Sequence, residues 1–327
     1  MRVGIEDMAL MAGVKRPDAV DLLRRAAGLG AQGVHFSTVV TFPGRDAASV
    51  RNIARTAESM DLYVEVGMGA CNPASNILAP GDAGRDVREV LREMIAVAAS
   101  AGSGVLRTFV GWLEERRLAS PTWSEQLDHV ADVLTEVAPA ARDAGVVICI
   151  ENHMDITASE LLSLVERVDS PAVGVCFDTA NPLMLCEDPL EACRMLASHV
   201  RCTHIKDAVL AGTVDAPRYV SSPLGKGVVD LEEIVRALAA MSPCTTLSVE
   251  DHGGVLELHA PSEGDAAVRD LRRANQDKLA AWISRGNEAI EHGEFPMLFE
   301  MYDDEAREAV ADRCGRNLAM LKGLVEK

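Results

Sequence analysis

Eight short β-forming runs, each followed by a stretch patterned as a helix, constrain this chain more than any other feature. The runs are RVGIE, GVHFST, LYVEVG, GVLRTFVG, VVICIENH, VGVCFDT, CTHIKDA and TLSVEDH. Between them apolar residues recur at helical spacing, as in Val87, Val90, Leu91 and Met94, or Leu127, Val130, Leu134 and Val137. Thr122 with Glu125, and Thr157 with Glu160, have capping-box spacing. Gly28 and Gly145 fall where the preceding helices should stop. Strand then helix, eight times over roughly 250 residues, is the layout of a (β/α)8 TIM barrel. Runs such as VVICI and VGVCF are continuously apolar, as strands covered on both faces require. A doubly wound open sheet is the alternative, but no GxGxxG follows the first strand, and a count of eight favours closure.

The helical pattern near 263–291 suits the eighth barrel helix and sets a barrel domain at residues 1–292. Residues 293–327 then form a C-terminal helical extension. Its final helix, near 304–326, aligns Ala306, Val310, Cys314, Leu318, Leu321 and Val325 on one face. That face is expected to pack on the barrel, with a partner subunit as the alternative.

Charge narrows the partners. The formal net charge of −18 repels phosphate backbones and anionic bilayers, so neither nucleic acid nor membrane is an expected partner. No apolar run approaches the roughly 20 residues of a spanning helix, and MRVGIEDMAL lacks the apolar core of a signal peptide. The eight cysteines include no CxxC pair and several lie inside apolar runs, which reads as buried, reduced thiols of a cytoplasmic protein.

In a barrel of this kind the reactive groups stand at the C-terminal ends of the strands. The fifth strand ends in Glu151, followed by Asn152 and His153. The sixth ends in Asp178, the seventh carries His204, and the eighth ends in Glu250. Neighbouring strands lie roughly 5 Å apart, so three carboxylates and an imidazole converge over one mouth. Carboxylates that close repel and raise one another's pKa, a conflict that a divalent cation removes. A lone strand-end Asp is ordinarily a cap, and a lone strand His an ordinary core residue. Four ligand-type side chains at equivalent places on successive strands are better explained by Mn²⁺ or Mg²⁺, with Co²⁺ and Zn²⁺ also compatible.

The motifs ENHMD, CFDTAN, THIKD and SVED resemble those of the xylose isomerase-like barrel superfamily of sugar phosphate isomerases and epimerases, over most of residues 1–252. The resemblance implies that Glu151, Asp178, His204 and Glu250 bind one divalent metal. It also implies that Glu151 and Glu250 form the proton-transfer pair on opposite faces of the substrate. Many epimerases of the group carry His three residues after the strand-six Asp, where this chain has Asn181, which cannot shuttle a proton. His153 is a substitute acid or base. Lys206, two residues past His204, keeps its strand parity and suits a carbonyl, carboxylate or phosphate oxygen. Arg107, His35, Asp155, Glu65 and His252 are further rim residues in reach of hydroxyls. PLGKGVVDLEE resembles the mouth loop of the superfamily and lacks phosphate-loop spacing.

The function expected from these residues is a divalent-metal-dependent isomerase or epimerase of a sugar or sugar derivative, acting through a metal-held enediolate. The alternative is a lyase, decarboxylase or dehydratase, of a 3-oxo sugar acid or keto-polyol on the same site. In that case Lys206 and Arg107 become carboxylate clamps. A three-zinc nuclease would need more ligands on the early strands than His35 and Glu65 supply, and a basic surface. A non-catalytic scaffold has no need of an intact quartet. The expected partner is a small carbohydrate or keto-sugar acid, and a homo-oligomer is expected.

Overall fold

A computed structural model describes residues 1–11, 18–37, 45–75, 82, 84–258, 265–292 and 304–326. The first seven parallel strands are β1 (Arg2–Glu6), β2 (Gly33–Phe36), β3 (Tyr63–Ala70), β4 (Val105–Phe109), β5 (Val147–Glu151), β6 (Val173–Asp178) and β7 (Val200–Ile205). Two antiparallel strands, β8 (Asp207–Gly212) and β9 (Pro217–Ser222), interrupt the series before β10 (Thr246–Val249). Strand β10 pairs with both β7 and β1, and closes the eight-stranded barrel. The short β11 (Val255–Glu257) joins β9 and β8 in a separate three-stranded sheet.

Around the barrel run α1 (Asp7–Met11), α2 (Ala19–Gly28), α3 (Ala47–Ser59), α4 (Val87–Ser100), the short α5 (Leu113–Arg116), α6 (Trp123–Ala144), α7 (Ala158–Val168), α8 (Pro189–Leu196) and α9 (Leu231–Met241). Local signals set their ends. Both capping boxes form, at Thr122–Glu125 and Thr157–Glu160, and Gly145 takes the left-handed conformation that ends α6. The stop after α2 falls slightly later than Gly28, with the left-handed turn at Gly30. The α4 stripe Val87, Val90, Leu91 and Met94 is buried against the barrel. No described helix is long and apolar enough to cross a membrane.

The C-terminal part differs from the reading of its periodicity. The segment matched to the eighth barrel helix is two helices, α10 (Ala266–Ala274) and α11 (Gln276–Glu291), and α11 rests on β8 of the small sheet. Gly286 makes that contact possible, because a Cβ there would fall on the Leu210 carbonyl oxygen. The final helix, α12 (Asp304–Val325), packs on β1, β10, α1 and α9, which is the eighth place in the ring. Val310, Cys314, Leu318 and Leu321 are buried there and Val325 is partly buried, while the 292/293 boundary and the Ala306 side chain lie outside the described residues. Helical period alone cannot separate two amphipathic helices competing for one place. The polar residues on α12 do.

Arg313 of α12 donates from Nε to Asp251 Oδ2 at 2.6 Å and from Nη2 to Asp251 Oδ1 at 2.5 Å. Asn317 adds a bond to the same carboxylate and accepts from the Leu224 amide, and Ser221 of β9 donates to Asp251 as well. Asp251 directly follows Glu250, so helix, small sheet and barrel mouth are tied at one buried ion pair. Arg313→Ala leaves that carboxylate buried without its partner and is expected to cost about 3–5 kcal/mol, read as a lower urea midpoint. Arg313→Lys should recover part of the loss, since an ammonium cannot reproduce the two-pronged contact. An unchanged midpoint in Arg313→Ala would remove this role from the pair.

Candidate active site

Each of the four expected ligands is set by the way its strand ends. Asn152 accepts from the Asp178 amide at 2.7 Å and donates to the Asp178 carbonyl at 2.8 Å, which fastens the tip of β6 to that of β5. The Asp178 side chain divides its oxygens. Oδ1 accepts from the amides of Ala180 and Asn181, capping the 3-10 turn that follows, and Oδ2 is left to the barrel axis. His204 stands opposite Asp178 across the β6–β7 ladder, and Glu250 follows the last residue of β10. Glu151, Asp178, His204 and Glu250 are all buried, and one ligand atom from each lies within 4.8 Å of the others.

Three carboxylates in so small a space need counter-charge, and this chain supplies some of it. Arg107 of β4 pairs with Glu151. Lys206 Nζ lies 2.9 Å from both Asp178 Oδ2 and Glu250 Oε2, and His204 Nδ1 lies 3.0 Å from Glu250 Oε2. Burial opposes ionisation of Glu151, but Arg107 and His204 outweigh it and hold the carboxyl well below its usual range. Glu250 is likewise held low against burial by His204, Lys206 and His252. At Asp178 burial wins over Lys206, and the carboxyl is pushed up to about 7.

Several of these atoms lack an aligned hydrogen bond. Asp178 Oδ2, Glu250 Oε2 and both ring nitrogens of His204 are buried without one, so the Lys206 and His204 contacts are charge contacts rather than aligned bonds. Buried polar atoms are rarely left this way, and such atoms from Asp178, Glu250 and His204, gathered with one from Glu151 inside 4.8 Å, fit a cation seat made of hard oxygen donors and one imidazole.

Above the quartet lies a small pocket lined by His153, Met154, Asn181, Met184, Lys206, Tyr219, Ser221 and His252. The structure thus brings His153, Asn181 and Lys206 together with His252 in one pocket. Burial lowers the His153 pKa to about 4, so the ring is neutral. Its Nδ1 lies 3.1 Å from the Gly111 carbonyl, which only accepts, so Nδ1 carries the proton and Nε2 keeps a lone pair. Asn181 donates to Glu151 Oε1 at 3.1 Å.

Arg107 and His35 are not among the residues lining this pocket. Arg107 sits deeper, behind Glu151. His35 pairs with Glu65 at 3.1 Å and lies edge-on to His204, with ring centroids 4.5 Å apart, so it lies inside the barrel rather than on its rim. Glu65 faces Thr246 and Ser248 there, and Asp155 accepts from the Gly111 amide. Asp207 bonds the amides of Gly225, Gly227 and Val229, gathering the PLGKG loop, which leaves Lys206 to the quartet. Sequence reasoning passed over Tyr219 and Ser221, which arrive on a hairpin whose strands carry no strong apolar alternation. It also passed over Glu6 and Asp7, buried at the end of β1, though the strand-end rule reaches them too.

A family model described as xylose isomerase-like TIM barrel matches residues 23–275. The chain is 29% identical over 118 residues to a protein of Escherichia coli K12 named only as uncharacterized YihM, a match covering 36% of this chain and 34% of that protein. It is 30% identical over 118 residues to 3-oxo-isoapionate decarboxylase of Pectobacterium atrosepticum, covering 35% of this chain and 42% of that one. The chain therefore spans well under half the length of these curated relatives. A solved D-psicose 3-epimerase from Clostridium cellulolyticum H10, crystallised with D-tagatose, superposes with a TM-score of 0.64 over 99% of both chains at 16% identity, a likeness of fold.

Asp178→Asn removes one charged ligand while keeping the cap on Ala180 and Asn181. It is expected to weaken Mn²⁺ binding by at least about 100-fold in calorimetry. The metal-free melting temperature should barely move, and the rise that Mn²⁺ gives the parent should vanish. Parent-like Mn²⁺ affinity in the variant would take Asp178 out of the site.

Proposed function

The chain belongs to the xylose isomerase-like TIM barrel family, and from that membership we propose that it is a divalent-metal-dependent enzyme acting on a sugar-derived carbonyl compound. The observation that carries this reading is the quartet, with unbonded atoms of Asp178, His204 and Glu250 gathered beside a pocket at the barrel mouth. Glu151, Asp178, His204 and Glu250 would hold the ion, and Mn²⁺ or Mg²⁺ suits three carboxylates and one imidazole best. When bound, such an ion polarises a carbonyl oxygen and acidifies the neighbouring C–H.

The residues around the quartet favour a lyase of a 3-oxo sugar acid. Two features support this. The first is charge: with a divalent cation bound, His204 gives up a proton to become a neutral ligand, and the three carboxylates are opposed by Lys206, Arg107 and the cation, a surplus of one positive charge. That surplus suits an anionic substrate and the negative charge that develops on its oxygen as CO₂ leaves. Lys206 is the cation of this set that also lines the pocket, and so is the group placed to hold the substrate's carboxylate or oxyanion.

The second is the unequal state of the two glutamates. Glu151 is closed off, with Arg107 on Oε2 and Asn181 on Oε1. Glu250 bonds His252 Nε2 at 2.5 Å, and His252 lines the pocket. His252 therefore gives Glu250 a proton path to the pocket that Arg107 and Asn181 do not give Glu151. Loss of CO₂ needs an electron sink and one proton donor, whereas epimerisation needs a working base on each face. Isomerisation or epimerisation remains the second reading, supported by the presence of glutamates on both flanks of the seat.

The test is proton NMR in D₂O with Mg²⁺-loaded protein and a panel of 3-oxo sugar acids, keto-polyols and ketoses. Deuterium next to the carbonyl of a product that has lost CO₂ is expected, and chelation should abolish it. Deuterium in a product that retains every carbon and has lost no water would move the enzyme to the isomerases. Lys206→Ala should raise KM for the acid substrate at least about tenfold, the loss expected for one charge-assisted contact. Turnover that survives chelation would sink the metal-dependent reading as a whole.

A further inference from the structure

One layer beneath the quartet the barrel is lined by thiols. Cys149 on β5, Cys176 on β6 and Cys202 on β7 are fully buried and cluster with Val105. Cys176 lies two residues before Asp178, so it shares the inward face of β6 one pleat deeper. The ladders place it beside Glu151 on one side and Cys202 on the other. Its Sγ lies with one ligand atom each of Glu151 and His204 inside the same 4.8 Å limit as the quartet.

A buried cysteine is usually a small apolar filler. Here it faces a carboxylate and an imidazole whose two nitrogens are buried without a hydrogen bond. That is a mixed sulfur, nitrogen and oxygen donor set, the kind preferred by thiophilic d¹⁰ ions.

We propose that the barrel contains a second, overlapping cation seat formed by Cys176, Glu151 and His204, which takes soft ions such as Cd²⁺ or Zn²⁺. It shares two ligands with the proposed hard-ion seat, so the two cannot be filled together. Asp178 and Glu250 are the ligands the lower seat leaves out, and Lys206 stays paired with them. Binding exchanges the Cys176 thiol proton and the second ring proton of His204 for the ion, and both protons go to solvent. The chain is thereby open to displacement of a hard ion by a thiophilic one.

The experiment is a Cd²⁺ titration of metal-free protein, following the ultraviolet thiolate-to-cadmium charge-transfer band in the parent, Cys176→Ser, Cys176→Ala and Asp178→Asn. The band is expected to saturate at a single ion per chain in the parent and in Asp178→Asn, and to be lost in both Cys176 variants. Mn²⁺ should suppress it in the parent and fail to do so in Asp178→Asn. A band that persists in folded Cys176 variants, or its absence from the parent, overturns the proposal. The ¹¹³Cd chemical shift of the parent, which reports how many sulfurs touch the ion, decides the matter if the variants do not fold. A shift with no sulfur bound refutes the soft seat. Failure of the hard-ion reading shows separately, as a parent that binds Cd²⁺ but no Mn²⁺.

Discussion

The repulsion among Glu151, Asp178 and Glu250 is the constraint around which the C-terminal half of the barrel is arranged. Moving even one unpaired charge out of water costs several kcal/mol, so three buried carboxylates require opposing charge and strict placement. The chain answers from three strands: Arg107 from β4, His204 and Lys206 at the end of β7, and His252 just past β10. The raised pKa of Asp178 shows where those cations fall short. A cation at the same point would remove the remaining conflict. The same residues thus give a reason for a metal and the means to fold without one.

Placement of that kind needs rigid strand ends, and the loops provide them through side chains that bond backbone. Asn152 stitches β5 to β6, Asp207 gathers the loop after β9, and Asp251 receives Arg313 from the last helix. Gly227 belongs to this arrangement, since a Cβ there would collide with the Asp207 carboxylate and the Ala208 carbonyl. The final helix is therefore joined to the site twice over. It fills the eighth place in the outer ring, and it holds the residue next to Glu250.

Much of this could be read in the sequence, and the reasons for success and failure are physical. Strand-end acids stand out because a buried apolar run ending in a carboxylate is costly without a purpose, as at CFDTAN. Eightfold alternation of apolar runs with helical stretches pointed to closure because strands buried on both faces are mostly apolar and stand out from the helices between them. The mouth hairpin escaped because residues 207–222 carry no clear alternation, and its partner β11 is too short to register. The exchange of places between α11 and α12 escaped because both are amphipathic, and only the three-dimensional partner of Arg313 distinguishes them. His35 was misplaced for want of depth. Sequence gives the face a side chain takes, but not which layer of the barrel it occupies.

Depth also separates residues that a motif would treat alike. Glu151 and Glu250 occupy equivalent strand ends, yet their neighbours give them different capacities. A carboxylate whose oxygens bond Arg107 and Asn181 is stabilised as an anion and loses basicity, because any proton it accepts must displace a charged or polar contact. Glu250 also carries charged partners, but one of them is an imidazole that can pass a proton onward, and that imidazole lines the pocket. The asymmetry comes from Asn181 as much as from His252, since Asn181 bonds Glu151 Oε1 through an amide that cannot pass a proton onward. With Asn at 181, both Glu151 oxygens are bonded, by Arg107 and Asn181, while Glu250 keeps an imidazole partner that reaches the pocket.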